Sequence, residues 1–203
     1  MWDADWIEGD RITDPEVARS LRYRRVMVGV DPSGGATECG IVVAALIVGC
    51  PCRNGAPQPH FAVLGDYTTK PGTSPLAWAD RAGVAYDTHE ADRAVAEKNF
   101  GGDMVESNLQ TARPDITFES VSASRGKTIR AEPIAALAEA HRIHHVGTFE
   151  KLEGELTSWT QDESWSPNRL DAMVWALSKL KERAHHGGLK VSTQSGMLSD
   201  RVG

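Results

Sequence analysis

Cysteine is scarce in this sequence, with only Cys39, Cys50 and Cys52 among 203 residues. Three cysteines cannot build a disulfide framework and are too few for a zinc site made of cysteine alone, so a reducing, cytosolic setting is the default expectation. Cys50-Pro51-Cys52 lies in a loop stretch with no paired ligand set and reads as incidental. A basic excess is also missing. Lys and Arg number 22 against 28 Asp and Glu, a formal net charge of −6. That excludes a protein whose whole surface coats nucleic acid, though not a local basic groove. No apolar run approaches the ~20 residues of a membrane span. The opening MWDADWIEGD is acidic and polar, unlike a signal peptide. What is present is a globular composition, 40% hydrophobic and 25% charged. The length suits one domain with a short appendage.

The pattern of apolar residues changes period along the chain. Residues 1–24, with Trp2, Trp6 and the Asp14-Pro15 break, read as an ordered lead-in or linker stub. The run from Arg25 to Asp31 is β-branched and ends on an acid. Pro32-Ser33-Gly34-Gly35 then turns the chain into a second apolar strand, Gly40 to Val48. After the proline-rich loop from Cys50 to Pro59, His60 to Tyr67 is a third strand, and the short connections imply an antiparallel meander. Ser74-Pro75 caps a helix to about His89. Strands over 93–97 and 116–121 then alternate with helices over 102–112 and 128–141. A possible edge strand over 143–146, a short helix over 149–159 and a last helix from Ser166-Pro167 to about Arg183 follow. Residues 185–203 turn to Ser, Gly, Gln and Asp and read as a flexible tail. The economical fold over 25–184 is α/β: a ribonuclease-H-like mixed sheet of about five strands, three antiparallel and then parallel, flanked by helices on both faces.

Three carboxylates fall at element ends in that topology. Asp31 ends the first strand, Glu97 ends the fourth, and Asp171 lies about one turn into the last helix. If the first and fourth strands are parallel neighbours, Asp31 and Glu97 emerge at one sheet edge, the usual place for ligands in α/β folds. Taken singly, each has a plain alternative: a turn former, a solvated strand end, a favourable charge near a helix N-terminus. Together they would repel one another unless a cation sits among them, and carboxylate oxygens suit Mg²⁺ or Mn²⁺.

Five blocks carry a resemblance: VGVDPSGG (28–35), AEKNFGGDMV (96–105), SASRGKTIRAEPIAAL (122–137), HHVGTFEKLEGELTSW (144–159) and SPNRLDAMVWAL (166–177). In order and spacing they resemble the C-terminal nuclease domain of the large terminase subunit of tailed bacteriophages. The resemblance implies a ribonuclease-H-like fold and a Mg²⁺- or Mn²⁺-dependent endonuclease, with two ions, cutting double-stranded concatemeric DNA during genome packaging. It puts the metal ligands on Asp31, Glu97 and Asp171, with Asp31 bridging. It also implies double-stranded DNA, the portal and procapsid, and the small terminase subunit as partners. The place of action would be the cytoplasm of the infected bacterial host, transiently at the procapsid portal, with no membrane involved.

A complete large terminase also carries an N-terminal translocating ATPase. Gly126-Lys127-Thr128 supplies the end of a Walker A motif, but Val121 stands where its first glycine belongs, so ATP binding is not expected. The chain is expected to be an excised nuclease domain or a gene product whose motor half lies elsewhere, with Trp6 to Arg11 resembling the segment that joins the two in relatives. The loop Ser124 to Lys127, with Arg130, concentrates positive charge. By itself it reads as a solvated loop. With the resemblance, Arg125, Lys127 and Arg130 become DNA-backbone contacts, and Lys127 a stabiliser of transition-state charge.

Asp103 reads as a helix start and Glu38 as a remote candidate ligand. His141, His144 and His145 read as surface or satisfied core histidines, since adjacent strand residues point to opposite faces. Trp78, Trp159, Trp165 and Trp175 read as packing aromatics. The alternatives are a resolvase- or transposase-type nuclease of the same fold, and a non-catalytic module docking DNA or portal.

Overall fold

The computed structural model describes residues 1–32, 37–52, 58–97, 102–121, 126–160, 162–163 and 165–186. Strands β1 (Arg22–Asp31), β2 (Gly40–Val48) and β3 (His60–Asp66) form the antiparallel meander. β4 (Arg93–Glu97) pairs parallel with β1, β5 (Phe118–Val121) with β4, and β6 (Ile143–His145) with β3. The sheet therefore has six strands, in the order β5-β4-β1-β2-β3-β6. The expectation of about five falls short because β6 is only three residues long. β5 begins two residues later than the apolar run suggests, since the Ile116 amide closes a turn on the Arg113 carbonyl (3.1 Å).

Alternation along the strands splits the core in two. Met27, Val42, Ala44, Leu46, Phe61, Val63 and Val95 face one side, under helices α5 (Lys127–Glu139), α6 (Glu150–Ser158) and α7 (Asn168–His186). Val28, Val30, Ile41, Val43, Ala45, Ala62 and Ala94 face the other, under α3 (Pro75–Thr88) and α4 (Gly102–Ala112). Period-2 burial on both faces is what a central sheet between two helical layers requires. The Ser74 hydroxyl caps α3 by accepting from the Ala77 amide. α7 starts two residues after the Ser166 position expected, because the Pro167 carbonyl accepts the first helical bond from the Asp171 amide (2.9 Å).

Helix α7 approaches the sheet closely. A methyl group on Gly29 would lie 1.9 Å from the Ala172 carbonyl oxygen, and one on Gly40 1.9 Å from that of Asn168. Only glycine lets the two backbones meet here. The lead-in is ordered as α1 (Ala4–Gly9) and α2 (Pro15–Ser20), and Trp2 and Ile7 are buried in the core beneath α5 and α6. Residues 22–24, placed in the lead-in by sequence, belong to β1. Of the tail read over 185–203, residues 185 and 186 continue α7, and the rest lies outside the described residues.

An ionic cluster fastens the lead-in to β6 and α6. Arg11 donates to Glu153 (2.7 and 3.0 Å), to the Gly147 carbonyl (2.6 Å) and to Glu8. Glu153 also accepts from His145 Nδ1 (2.9 Å) and the Phe149 amide (3.0 Å). Burial would raise the Glu153 pKa, but these donors outweigh it and hold it at about 2, below the ordinary 4.5.

Two outcomes follow from these contacts. Gly29→Ala forces α7 off the sheet and costs about 3 kcal/mol, at the upper end of overpacking effects. Thermal denaturation should register this as a fall of roughly 6–12 °C. Because the folded pKa of Glu153 lies below its unfolded value, its stabilisation is complete above about pH 4.5 and fades as pH falls toward about 2. Glu153→Gln should lower Tm at pH 7, and its deficit against the wild type should shrink across that window; a constant deficit from pH 7 to pH 2 would contradict the assignment.

Candidate active site

Asp31 and Glu97 end neighbouring strands, and Asp171 lies in the helix that packs on those strands. In the parallel β1–β4 pair Val30 is in register with Ala96, so Asp31 and Glu97 end neighbouring strands at the same level. Met27 and Val95 mark the strand face beneath α7, and two-residue periodicity puts Asp31 and Glu97 on that face too. Asp31 also pairs with Gly40, directly under the Asn168 carbonyl. Asp171, in the first turn of α7 between Asn168 and Ala172, is thereby set over the strand end that carries Asp31. Asp31 and Glu97 are half-buried, while Asp171 is 3% exposed. Such burial of a carboxylate demands compensation by positive charge or hydrogen bonds.

Arg130 on α5 supplies part of it. Its guanidinium lies 3.8 Å from Asp171 Oδ1 and 4.4 Å from the Trp175 ring centroid, with only 15% of the side chain exposed. Trp175 is thus a buried aromatic, as are Trp78 and Trp159, while Trp165 is more exposed. But it is also the platform that aims Arg130 at Asp171. Lys127 is the first residue of α5, three before Arg130. Arg125 lies outside the described residues.

Reading the sequence missed the residue that anchors this end of α7. Arg169, 5% exposed, donates to Asp66 (3.0 Å), Glu155 (2.8 Å) and Glu38. Burial works against its charge, but Glu38 and Glu155 outweigh this and raise its pKa. Glu155 also accepts from the Arg169 and Leu170 amides (2.9 and 3.2 Å), as an acid at a helix N-terminus should. Glu38 is therefore engaged by Arg169, and the Asn168 side chain holds its carbonyl (2.7 Å). The one signal available was an arginine opening an otherwise apolar helix face. Asp103 lies in the first turn of α4, as read.

The cysteine reading needs correction. Cys50 and Cys52 do have a paired set: with His60 and His144 they bring four ligand-type atoms within 4.8 Å of one another. The spacing Cys-x-Cys followed eight residues later by histidine was visible, but the fourth member lies 84 residues beyond His60 and meets it only through the β3–β6 pairing. His145 is a satisfied core histidine on Glu153, on the opposite face from His144, and His141 is a surface residue paired with Asp10 (2.8 Å). This group lies across the sheet from the carboxylates. His60 pairs with Ile47, which pairs with Tyr23, eight residues along β1 from Asp31. At about 3.3 Å per residue that is roughly 25 Å.

Solved structures that match this architecture include terminase nucleases. The chain is similar to the large terminase nuclease of thermophilic phage G20c, with 13% identity and a TM-score of 0.58, covering 83% of this chain and 86% of that one. It is similar to the human cytomegalovirus terminase nuclease domain, soaked with Mn and bound to an inhibitor, with 12% identity, a TM-score of 0.63 and coverage of 91% and 97%. It also overlays the large terminase of a second thermophilic bacteriophage, with 13% identity and a TM-score of 0.59, covering 87% of this chain and 44% of that one. At these identities the likeness is one of fold. No curated protein matches the sequence significantly. Residues 28–180, well over half of the chain, match the terminase RNaseH-like domain family, and the chain belongs to that family.

Proposed function

We propose that this domain is a metal-dependent endonuclease that cuts double-stranded, concatemeric phage DNA during genome packaging. What supports the reading is that Asp31 and Glu97 end neighbouring parallel strands in register, while Asp171 lies in the first turn of the helix packed against those strands. Three carboxylates on one face offer only oxygen ligands, which fits a hard divalent ion and suits neither Cu nor a thiolate-loving metal. Asp31, Glu97 and Asp171 would hold Mg²⁺ or Mn²⁺, two ions in this reading. When bound, such ions supply an activated water and stabilise the leaving 3′-oxygen in phosphodiester hydrolysis. The cytomegalovirus domain was soaked with Mn, which agrees with this metal class.

The remaining steps belong to the protein. Arg169 and its three acids fix the first turn of α7, so Asp171 enters the site on a preformed scaffold. Arg130 lies 3.8 Å from Asp171 and would serve as a positioning residue for it, beside the DNA contact that the resemblance implies. Lys127 opens α5, and in this reading Lys127 and Arg125 would contact the DNA backbone, with Lys127 stabilising transition-state charge. In this reading the nuclease unit runs from β1, at residue 22, to about residue 184, with 1–21 as the lead-in packed on it. The partners that fit are double-stranded DNA, the portal and procapsid, the small terminase subunit and an N-terminal ATPase domain. The setting is the cytoplasm of the infected host. No helix among the described residues is long and apolar enough to cross a membrane.

Asp31→Asn should reduce cleavage of plasmid in Mn²⁺ at least about 100-fold, the scale of removing one charge-stabilising group. Its Tm in EDTA should stay level or rise, because neighbouring carboxylates repel. Unchanged cleavage would leave a docking module as the better reading. Arg130→Gln removes a cation that competes for Asp171, so Mn²⁺ measured calorimetrically without DNA should bind several-fold more tightly. An unaltered affinity would mean that Arg130 acts on DNA alone.

A further inference from the structure

We propose that Cys50, Cys52, His60 and His144 form a structural zinc site at the end of the sheet opposite the three carboxylates. The four ligand atoms lie within 4.8 Å of one another. Cys50 Sγ is 3.3 Å from His144 Nε2, Cys52 Sγ is 3.4 Å from His60 Nδ1, and the two ring nitrogens are 3.1 Å apart. In a tetrahedral site with Zn–S of about 2.3 Å and Zn–N of about 2.05 Å, the corresponding S–N and N–N edges are about 3.5 and 3.3 Å. Three of the six edges of a Cys₂His₂ tetrahedron are therefore already met to within a few tenths of an ångström.

The tautomer of His144 is set for ligation. Its Nδ1 lies 3.0 Å from the Asp10 carbonyl oxygen, which can only accept, so Nδ1 carries the hydrogen. Nε2, the atom facing Cys50 and His60, then carries the lone pair. A ligating histidine usually donates its other N–H to a carbonyl or carboxylate in this way. Both histidines are nearly fully buried, at 3% and 2% exposure, and the half-exposed cysteines leave an entry path. The cavity beside Cys50 and Cys52 is bounded by Asp10, Arg11 and His141 from the lead-in and α5–β6 turn. Thiolate and imidazole select zinc over Mg²⁺ or Mn²⁺, so the two ends of the sheet are suited to different metals.

The site would join parts that the sheet alone holds weakly. Cys50 and Cys52 follow β2, His60 opens β3, and His144 sits in the three-residue β6 at the sheet edge. Binding expels the two thiol protons to solvent and leaves both thiolates and both neutral imidazoles on the ion. Without an ion, a proton on His60 Nδ1 can be shared with His144 Nε2, so the cluster has a metal-free state in the same fold.

The test uses the full chain carrying Asp31→Asn and Asp171→Asn, which disables the carboxylate site and keeps the two metals apart. Elemental analysis of protein purified without chelator should find about one zinc per chain. Adding Co²⁺ to apoprotein should give the intense visible bands of tetrahedral cobalt with thiolate-to-metal charge transfer in the near ultraviolet. Zn²⁺ should raise Tm by roughly 5–10 °C at a hundredfold excess over Kd. Cys50→Ser with Cys52→Ser should abolish the cobalt spectrum and the Zn²⁺-dependent shift. Absence of zinc together with a cobalt spectrum lacking thiolate bands in the parent chain would overturn the proposal, whatever the serine variant does. Loss of nuclease activity in Asp31→Asn bears only on the carboxylate site.

Discussion

Everything at the candidate active site depends on how closely α7 lies on β1 and β2. Gly29 and Gly40 remove the two side chains that would hold the helix away, and carbonyl oxygens of the helix occupy the vacated space. Backbone resting on backbone leaves little slack, since a packed contact of this kind cannot be adjusted by rotamer changes. The acid in the helix is therefore fixed relative to the acids on the strands by main-chain geometry. Arg169 secures the same helix end laterally through three carboxylates drawn from different elements. Removing one partner of such a buried network is more damaging than never having built it.

The structure divides its polar interior by chemistry. Acids end β1 and β4 at one end of the sheet, and at the other sulfur and nitrogen atoms of Cys50, Cys52, His60 and His144 come together. Because strands alternate faces, adjacent His144 and His145 serve different partners, one turned toward the cysteines and one toward Glu153. Single-residue periodicity thus separates a soft ligand cluster from an ion-pair network across the thickness of one strand.

Much of this was legible in the sequence where the signal is local. β2 follows directly from its unbroken apolar run, β4 from a short apolar core, α4 from the glycines that precede it, and the Ser74 cap marks α3. Asp31, Glu97 and Asp171 could be nominated because strand ends and helix starts are readable, and parallel pairing brings the first two level. What escaped depends on distant pairing. β6 has too few residues to show a period, so neither its place beside β3 nor the meeting of His144 with His60 was visible. The role of Arg169 was hidden because Glu38, Asp66 and Glu155 are brought around it from 14 to 131 positions away. The glycine contacts were hidden for the same reason: Gly29 and Gly40 look like weak points in strands until a helix is laid across them.

The lead-in is gripped from both faces of β6: on one side His144 meets the Asp10 carbonyl, and on the other Arg11 meets Glu153 and, through it, His145. β6 is the edge strand, separated from β1 by β2 and β3. A pull applied along the first dozen residues is therefore taken up at that edge and by α6. The strands bearing Asp31 and Glu97 lie outside this load path. In mechanical terms the lead-in is a handle bolted to the rim of the sheet, and the carboxylates are isolated from strain that reaches it.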